Sequence, residues 1–314
     1  MSRPYGWPTP VTCTGSITRR WISTGIICPN RDCTSAGIDA SDGWSVAKPI
    51  ILQSPRPPNN RGIRGMQRHH QTAAQSSRLV ASDASIEERT ALSCLYKLIA
   101  RCLEEELDRE TLRLLRGALR EPLSAAGWTL DTDFLTTAED DLLEVLAEEY
   151  TGLLVAPGGL NPYASVFETG ALFGEPCDRA VAAYREAGCV YQRRLSGEFP
   201  DHIGTMLGFL GYLAESEADA VRRGDTEAAE RTRRRHDRFL LEQLGPWAPG
   251  WCRRAARAAL HPFYRQLLQF TEQLLWQALA EITDRRGLKE LMTQNQREPK
   301  RLDYNADFRK ASGL

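Results

Sequence analysis

No two of the eight cysteines (Cys13, Cys28, Cys33, Cys94, Cys102, Cys177, Cys189 and Cys252) stand in a C-x-x-C pair. That spacing carries zinc ribbons and dithiol redox sites, so neither is indicated. Reduced thiols serving as small hydrophobes are the plain expectation. Long apolar runs are missing as well, and none approaches the roughly 20 residues that cross a bilayer. Net charge is nearly absent, at −1 with a pI of 6.6, which leaves no basic field for nucleic acid. The chain lacks a P-loop, a G-x-G-x-x-G and a G-x-S-x-G. It also lacks H-E-x-x-H and the E-x-x-H pairs of di-iron bundles. The common nucleotide-binding, hydrolase and helical metalloenzyme classes are therefore without a motif.

Glutamate is absent before Glu87, and alternating strand patterns of useful length are absent after residue 85. Residues 1–65 hold eight of the 17 prolines and seven of the 24 glycines, with a net charge of +5. No helical or strand period persists through them, and Pro55-Arg56-Pro57-Pro58-Asn59-Asn60 is a breaker cluster. Residues 1–84 are expected to be a disordered or non-native extension, with Met66 as a candidate true start. Thr18-Arg19-Arg20-Trp21-Ile22 resembles the core of a twin-arginine export signal. However, the Ile22 to Cys28 segment is broken by Ser23, Thr24 and Gly25, and no small-residue cleavage pattern follows. A chance Arg-Arg is the plainer reading.

What is present is helical. Ser85-Ile86-Glu87-Glu88 reads as a capping box. Leu92, Leu95, Tyr96, Ile99 and Leu103 form a stripe behind it. Further stripes run through Leu112, Leu115 and Leu119, through Leu142 to Leu153, and from Pro176 to the stop at Gly188. Ile203, Met206, Leu207, Leu210 and Leu213 give the most apolar helix. A helix capped by Asp225 or Thr226 follows, then the aromatic turn Gly245–Trp251, then a long helix opened by His261-Pro262. The expected fold is all-α, a single domain of about eight to ten helices over 85–287, with 288–314 a polar tail.

The most polar corner of this apolar chain is Gly197-Glu198-Phe199-Pro200-Asp201-His202. The proline places Asp201 and His202 in a helix's first turn, where a carboxylate meets unpaired N–H groups. The bland reading is a helix cap with a buried, satisfied histidine. The sharper readings are a general base, a mixed-ligand metal site or a recognition surface. His236, beside Arg233-Arg234-Arg235, reads as part of a solvated basic face. Trp247 and Trp251 read as anchors of their turn, and Tyr163 and Phe167 lie on an irregular loop suited to binding.

In order, the chain carries Glu149-Tyr150-Thr151-Gly152-Leu153-Leu154, Asn161-Pro162-Tyr163-Ala164-Ser165-Val166-Phe167 and Glu198-Phe199-Pro200-Asp201-His202-Ile203. Phe239-Leu240, Leu244-Gly245-Pro246-Trp247 and His261-Pro262-Phe263-Tyr264 follow. Together these resemble the TorD/DmsD family of redox-enzyme maturation chaperones over about Ser85 to Glu281. The resemblance implies a cytoplasmic, non-enzymatic helical chaperone, monomeric or homodimeric. Such a protein binds the twin-arginine signal peptide of a molybdenum-cofactor oxidoreductase of the dimethyl-sulfoxide-reductase type and delays export until the cofactor is inserted. It implies no cofactor of its own, with transient molybdopterin guanine dinucleotide or weak guanine nucleotide binding in some members. Its partner is the catalytic-subunit precursor, with no nucleic acid and no membrane span. Carried over residue by residue, the signal-peptide site comprises Glu198, Pro200, Asp201 and His202, with Tyr163, Ser165 and Phe167 as the neighbouring wall. Tyr163 stands where some relatives carry tryptophan. The runner-up is a small helical hydrolase or metal-dependent enzyme using His202 as general base.

Overall fold

The computed structural model describes residues 26–27, 67–156, 159–192 and 199–300, with side-chain detail from residue 85 onwards. Most of the expected extension, Arg19-Arg20 included, lies outside the described residues, as do Glu198 and 301–314. Among the described residues the architecture is all-α. The helices are α1 (Gln67–Glu104), α2 (Arg109–Arg116), α3 (Arg120–Ala125), α4 (Thr132–Thr136), α5 (Glu139–Tyr150) and α6 (Ala164–Thr169). They continue as α7 (Glu175–Glu186), α8 (Ile203–Arg222), α9 (Thr226–Phe239), α10 (Ala248–Ala258), α11 (Pro262–Ile282) and α12 (Arg285–Gln294). Short π-helical turns, Thr151–Val155 and Leu240–Leu244, extend α5 and α9. The β-structure is a two-residue pair, β1 (Ile26–Ile27) against β2 (Val190–Tyr191), antiparallel. None of the helices among the described residues is long and apolar enough to cross a membrane.

α8 is the hub. Every residue from Ile203 to Leu210 is buried, and so are Leu213 and Ala214. A helix that is apolar all round needs neighbours all round. α1 crosses it on one side and α9, returning after the left-handed turn at Gly224 (φ 71°), covers another. α8 and α1 approach closely because Gly204 and Gly211 have no side chain. A Cβ at Gly211 would sit 2.9 Å from Lys97 Cγ and 3.2 Å from the Ser93 carbonyl oxygen. Ser93 Oγ uses the gap to donate to the Gly211 carbonyl at 2.7 Å. A second aromatic core joins the early helices to α11, where Phe134 stacks on Phe263 at 4.8 Å and Trp128 on Phe270 at 5.6 Å.

Several elements depart from the sequence expectation. α1 begins at Gln67, so Ser85 lies inside a helix instead of capping one. Intrinsic propensity fits this reading, because residues 66–84 contain no glycine or proline. α12 occupies part of the expected tail, and Asn295 just beyond it is fully buried. The Asn295 side chain accepts from Gly250 N at 2.6 Å and donates to the carbonyls of Gly245 (2.7 Å) and Leu291 (2.8 Å). It ties this last described stretch to the aromatic turn. Asn295→Ala strands these buried backbone groups and is expected to cost about 2–3 kcal/mol, read by urea unfolding. His236 is 2 % exposed, packed against Tyr96 with ring centroids 5.9 Å apart. Its arginine neighbours face water, but its own position on α9 turns towards α1, so the solvated-face reading of it is corrected. Trp247 and Trp251 are buried anchors, as expected. Among the described residues Cys94, Cys102, Cys177 and Cys252 are free thiols.

Candidate functional site

The loop 160–163 and the start of α8 are laid side by side as a short ladder. Ile203 N donates to the Pro162 carbonyl at 2.8 Å, and Ala164 N to the Asp201 carbonyl at 3.1 Å. Tyr163 and His202 thus face each other across an isolated antiparallel bridge. Pro162 suits this position, because a residue without an N–H can still accept.

Asp201 locks the ladder from beneath. It is fully buried, and both carboxylate oxygens are used. Oδ2 accepts from Ser165 N at 2.7 Å, at the start of α6, and Oδ1 accepts from the Cys177 thiol at 2.9 Å, in α7. Burial and the adjacent carboxylate push the Cys177 thiol far up, so it stays protonated and donates. Tyr184, also on α7, donates to the Pro200 carbonyl at 2.6 Å, and burial holds its phenol protonated. One turn before α8 is therefore bonded to α6 and α7 at once. The sequence placed Asp201 inside the helix's first turn; in the structure it precedes the helix and serves two other helices.

His202 is the N-cap itself. Its Nδ1 accepts from Gly204 N at 3.0 Å, a role only the neutral ring can fill, and burial lowers its pKa to about 4. His261 repeats the device at α11, with Nδ1 accepting from Phe263 N at 3.1 Å, and burial lowers its pKa too. A histidine whose folded pKa lies below its unfolded value contributes stability that is complete above the unfolded pKa of about 6.5. That contribution is lost as pH falls towards the folded value. For His202 the loss between about pH 7 and pH 4 is about 3 kcal/mol. His202→Asn keeps an N-cap acceptor without titrating. The stability difference between the wild type and this variant is expected to shift by that amount over the range; a pH-independent difference contradicts the assignment.

An aromatic row runs from His202 through Tyr163 and Phe199 to Phe173. Tyr163 meets the His202 ring at 5.2 Å and Phe199 at 5.3 Å, both edge-on. Phe199 meets Phe173 at 4.5 Å. Behind the loop, Phe167 packs on Trp247 at 5.8 Å with the Arg254 guanidinium over its ring at 5.9 Å, and Trp251 Nε1 donates to the Asn161 carbonyl at 3.1 Å. The motif segments quoted above are thus mutual contacts. Glu149 joins them, accepting from Leu260 N at 2.7 Å at the threshold of α11.

The structure brings together Tyr163, Ser165, Phe167, Pro200, Asp201 and His202, while Glu198 lies outside the described residues. Sequence reasoning missed Cys177, Tyr184 and Phe173. Cys177 and Tyr184 sit on a regular helical stripe and carry no local signal of a partner. Phe173 does carry one, as an aromatic residue set between two turn-forming stretches. Among the described residues no group of three or more histidine, cysteine or acidic side chains is placed to hold a metal ion.

Residues 117–253 match the model of the nitrate reductase delta subunit family, and that match bears out the resemblance to TorD/DmsD-type maturation chaperones. The family is one of molybdoenzyme-assembly chaperones, and the matched segment runs from the end of α2 into α10. No curated protein matches the chain.

Proposed function

We propose that this protein is a cytoplasmic chaperone that binds the twin-arginine signal peptide of a molybdoenzyme catalytic subunit and delays its export until the cofactor is in place. The observation that carries the reading is the clasp of Tyr163 to His202 over a fully buried Asp201. In it Tyr163, Pro200, Asp201 and His202 stand together with the Ser165 backbone, which supports a corner formed before the peptide arrives. A rigid corner lowers the ordering cost of binding a flexible peptide. The exposed Phe173 ring, backed by the buried Phe199 and the half-buried Tyr163, offers an apolar contact for the peptide's hydrophobic segment. Asp201 acts here as a positioning residue, since its oxygens are already taken. Pairing with the peptide's guanidinium groups falls to carboxylates outside that buried position, with Glu198 the candidate from sequence.

The test is co-purification of the full chain from its own cells, with mass spectrometry of what accompanies it. The expected companion is a molybdoenzyme precursor that retains its leader. Recovery of only the mature, leader-less subunit overturns the signal-peptide part of the reading.

A further inference from the structure

Phe173 is the residue the fold explains least. It is the sole non-glycine with positive φ among the described residues, at φ 70°. That region is costly for a bulky side chain. The residue is also 57 % exposed, so the strain is not offset by full burial. Gly170 (φ 76°) and Gly174 (φ 92°) bracket it, which is where a chain needing left-handed backbone would normally place its glycines. The strained residue between them nevertheless holds one of the largest side chains available. What it gains is position, because the ring stands edge-on to Phe199 at 4.5 Å, at the solvent end of the row that starts at His202.

The surroundings are acidic. Glu168 and Glu175 both pair with Arg179, at 2.9 and 3.2 Å, and Asp178 is exposed one turn along α7. Within residues 168–179 three carboxylates thus stand against one guanidinium, in the same segment as the exposed ring. A peptide that places cationic side chains next to an apolar segment complements both features.

We propose that Phe173 is a specificity-determining contact of the peptide site. It takes the apolar segment of the leader, while the leader's arginines lie against the Glu175 and Asp178 side. This rests on the peptide-binding reading above and extends it to a loop that the resemblance did not mark.

The test uses the full chain and a synthetic, dye-labelled peptide with two adjacent arginines followed by an apolar segment, titrated by fluorescence anisotropy. Phe173→Gly relieves the backbone, so its thermal midpoint is expected to equal or exceed the wild type's. Its affinity for the peptide is expected to fall about tenfold or more. Phe173→Leu, which retains apolar area, is expected to recover most of that affinity. Glu175→Gln with Asp178→Asn is expected to weaken binding and flatten its salt dependence. Wild-type affinity in Phe173→Gly overturns the proposal and leaves the peptide-binding reading standing. Failure of the wild type itself to bind the peptide overturns both.

Discussion

Asp201→Ala is expected to destabilise the protein by about 3 kcal/mol and to weaken leader-peptide binding at least as strongly as any other single change in the corner. The carboxylate is fully buried and accepts from Ser165 N and the Cys177 thiol. Removing it leaves two buried donors without an acceptor, each costing on the order of 1–3 kcal/mol, with partial relief if water enters the gap. Loss of binding with the fold intact is not expected, because the same carboxylate fixes α6, α7 and the entry to α8. Cys177→Ala removes one of the two donors, so the pair should be non-additive. In a double-mutant cycle by urea unfolding, the two substitutions together are expected to cost clearly less than their sum. Strict additivity, or an Asp201→Ala variant within about 0.5 kcal/mol of the wild type, would show that the carboxylate does not tie the corner.

Gly211→Val is expected to cost about 3 kcal/mol or more, a fall of about 10 °C in thermal midpoint for a domain of this size. The reason is the crossing of α1 over α8. A Cβ at Gly211 already meets Lys97 Cγ at 2.9 Å and the Ser93 carbonyl oxygen at 3.2 Å. The lysine stem can swing away, but the carbonyl is backbone and accompanies the helix. Valine's branches would force the helices apart and break the Ser93–Gly211 hydrogen bond. Gly204 meets the same limit nearer the candidate site, with a Cβ 2.4 Å from Glu104 Cγ and 3.1 Å from the Ala100 carbonyl oxygen. Ser93→Ala separates the two effects, since it removes the hydrogen bond without adding volume. It is expected to cost about 1 kcal/mol. Equal midpoints for Gly211→Val and the wild type would mean that the crossing is loose.

The helical class and the hub were legible in the sequence for two physical reasons: the first half of α8 is apolar at every face, and the later helices carry conventional starts. Asp225 caps α9 by accepting from Ala228 N, and Pro262 occupies the first turn of α11, both as local rules anticipate. The site was legible as a cluster of residues but not as a geometry. Asp201 and His202 are adjacent, so sequence put them together, yet one faces α6 and α7 while the other caps its own helix. Nothing near Cys177 announces that its thiol meets a carboxylate 24 residues on. The same limit explains the elements misread. The segment 288–300 is polar overall, and its fixed place depends on distant partners: the Asn295 amide bonds a turn 45 to 50 residues earlier, and Arg253 and Arg254 donate to the Asn295 carbonyl. His236 sits among arginines in sequence, and only the helix's rotation decides which of them turns inward.

Recognition of a twin-arginine leader by the corner built on Tyr163, Asp201 and His202 can be read by calorimetric titration of the full chain with a synthetic leader peptide, in parallel with the same peptide carrying glutamine at both arginine positions. Saturable binding of the first is expected, with a loss of about tenfold or more for the second as charge-assisted hydrogen bonds are removed. Indistinguishable affinities for the two peptides would rule out recognition of the arginine pair.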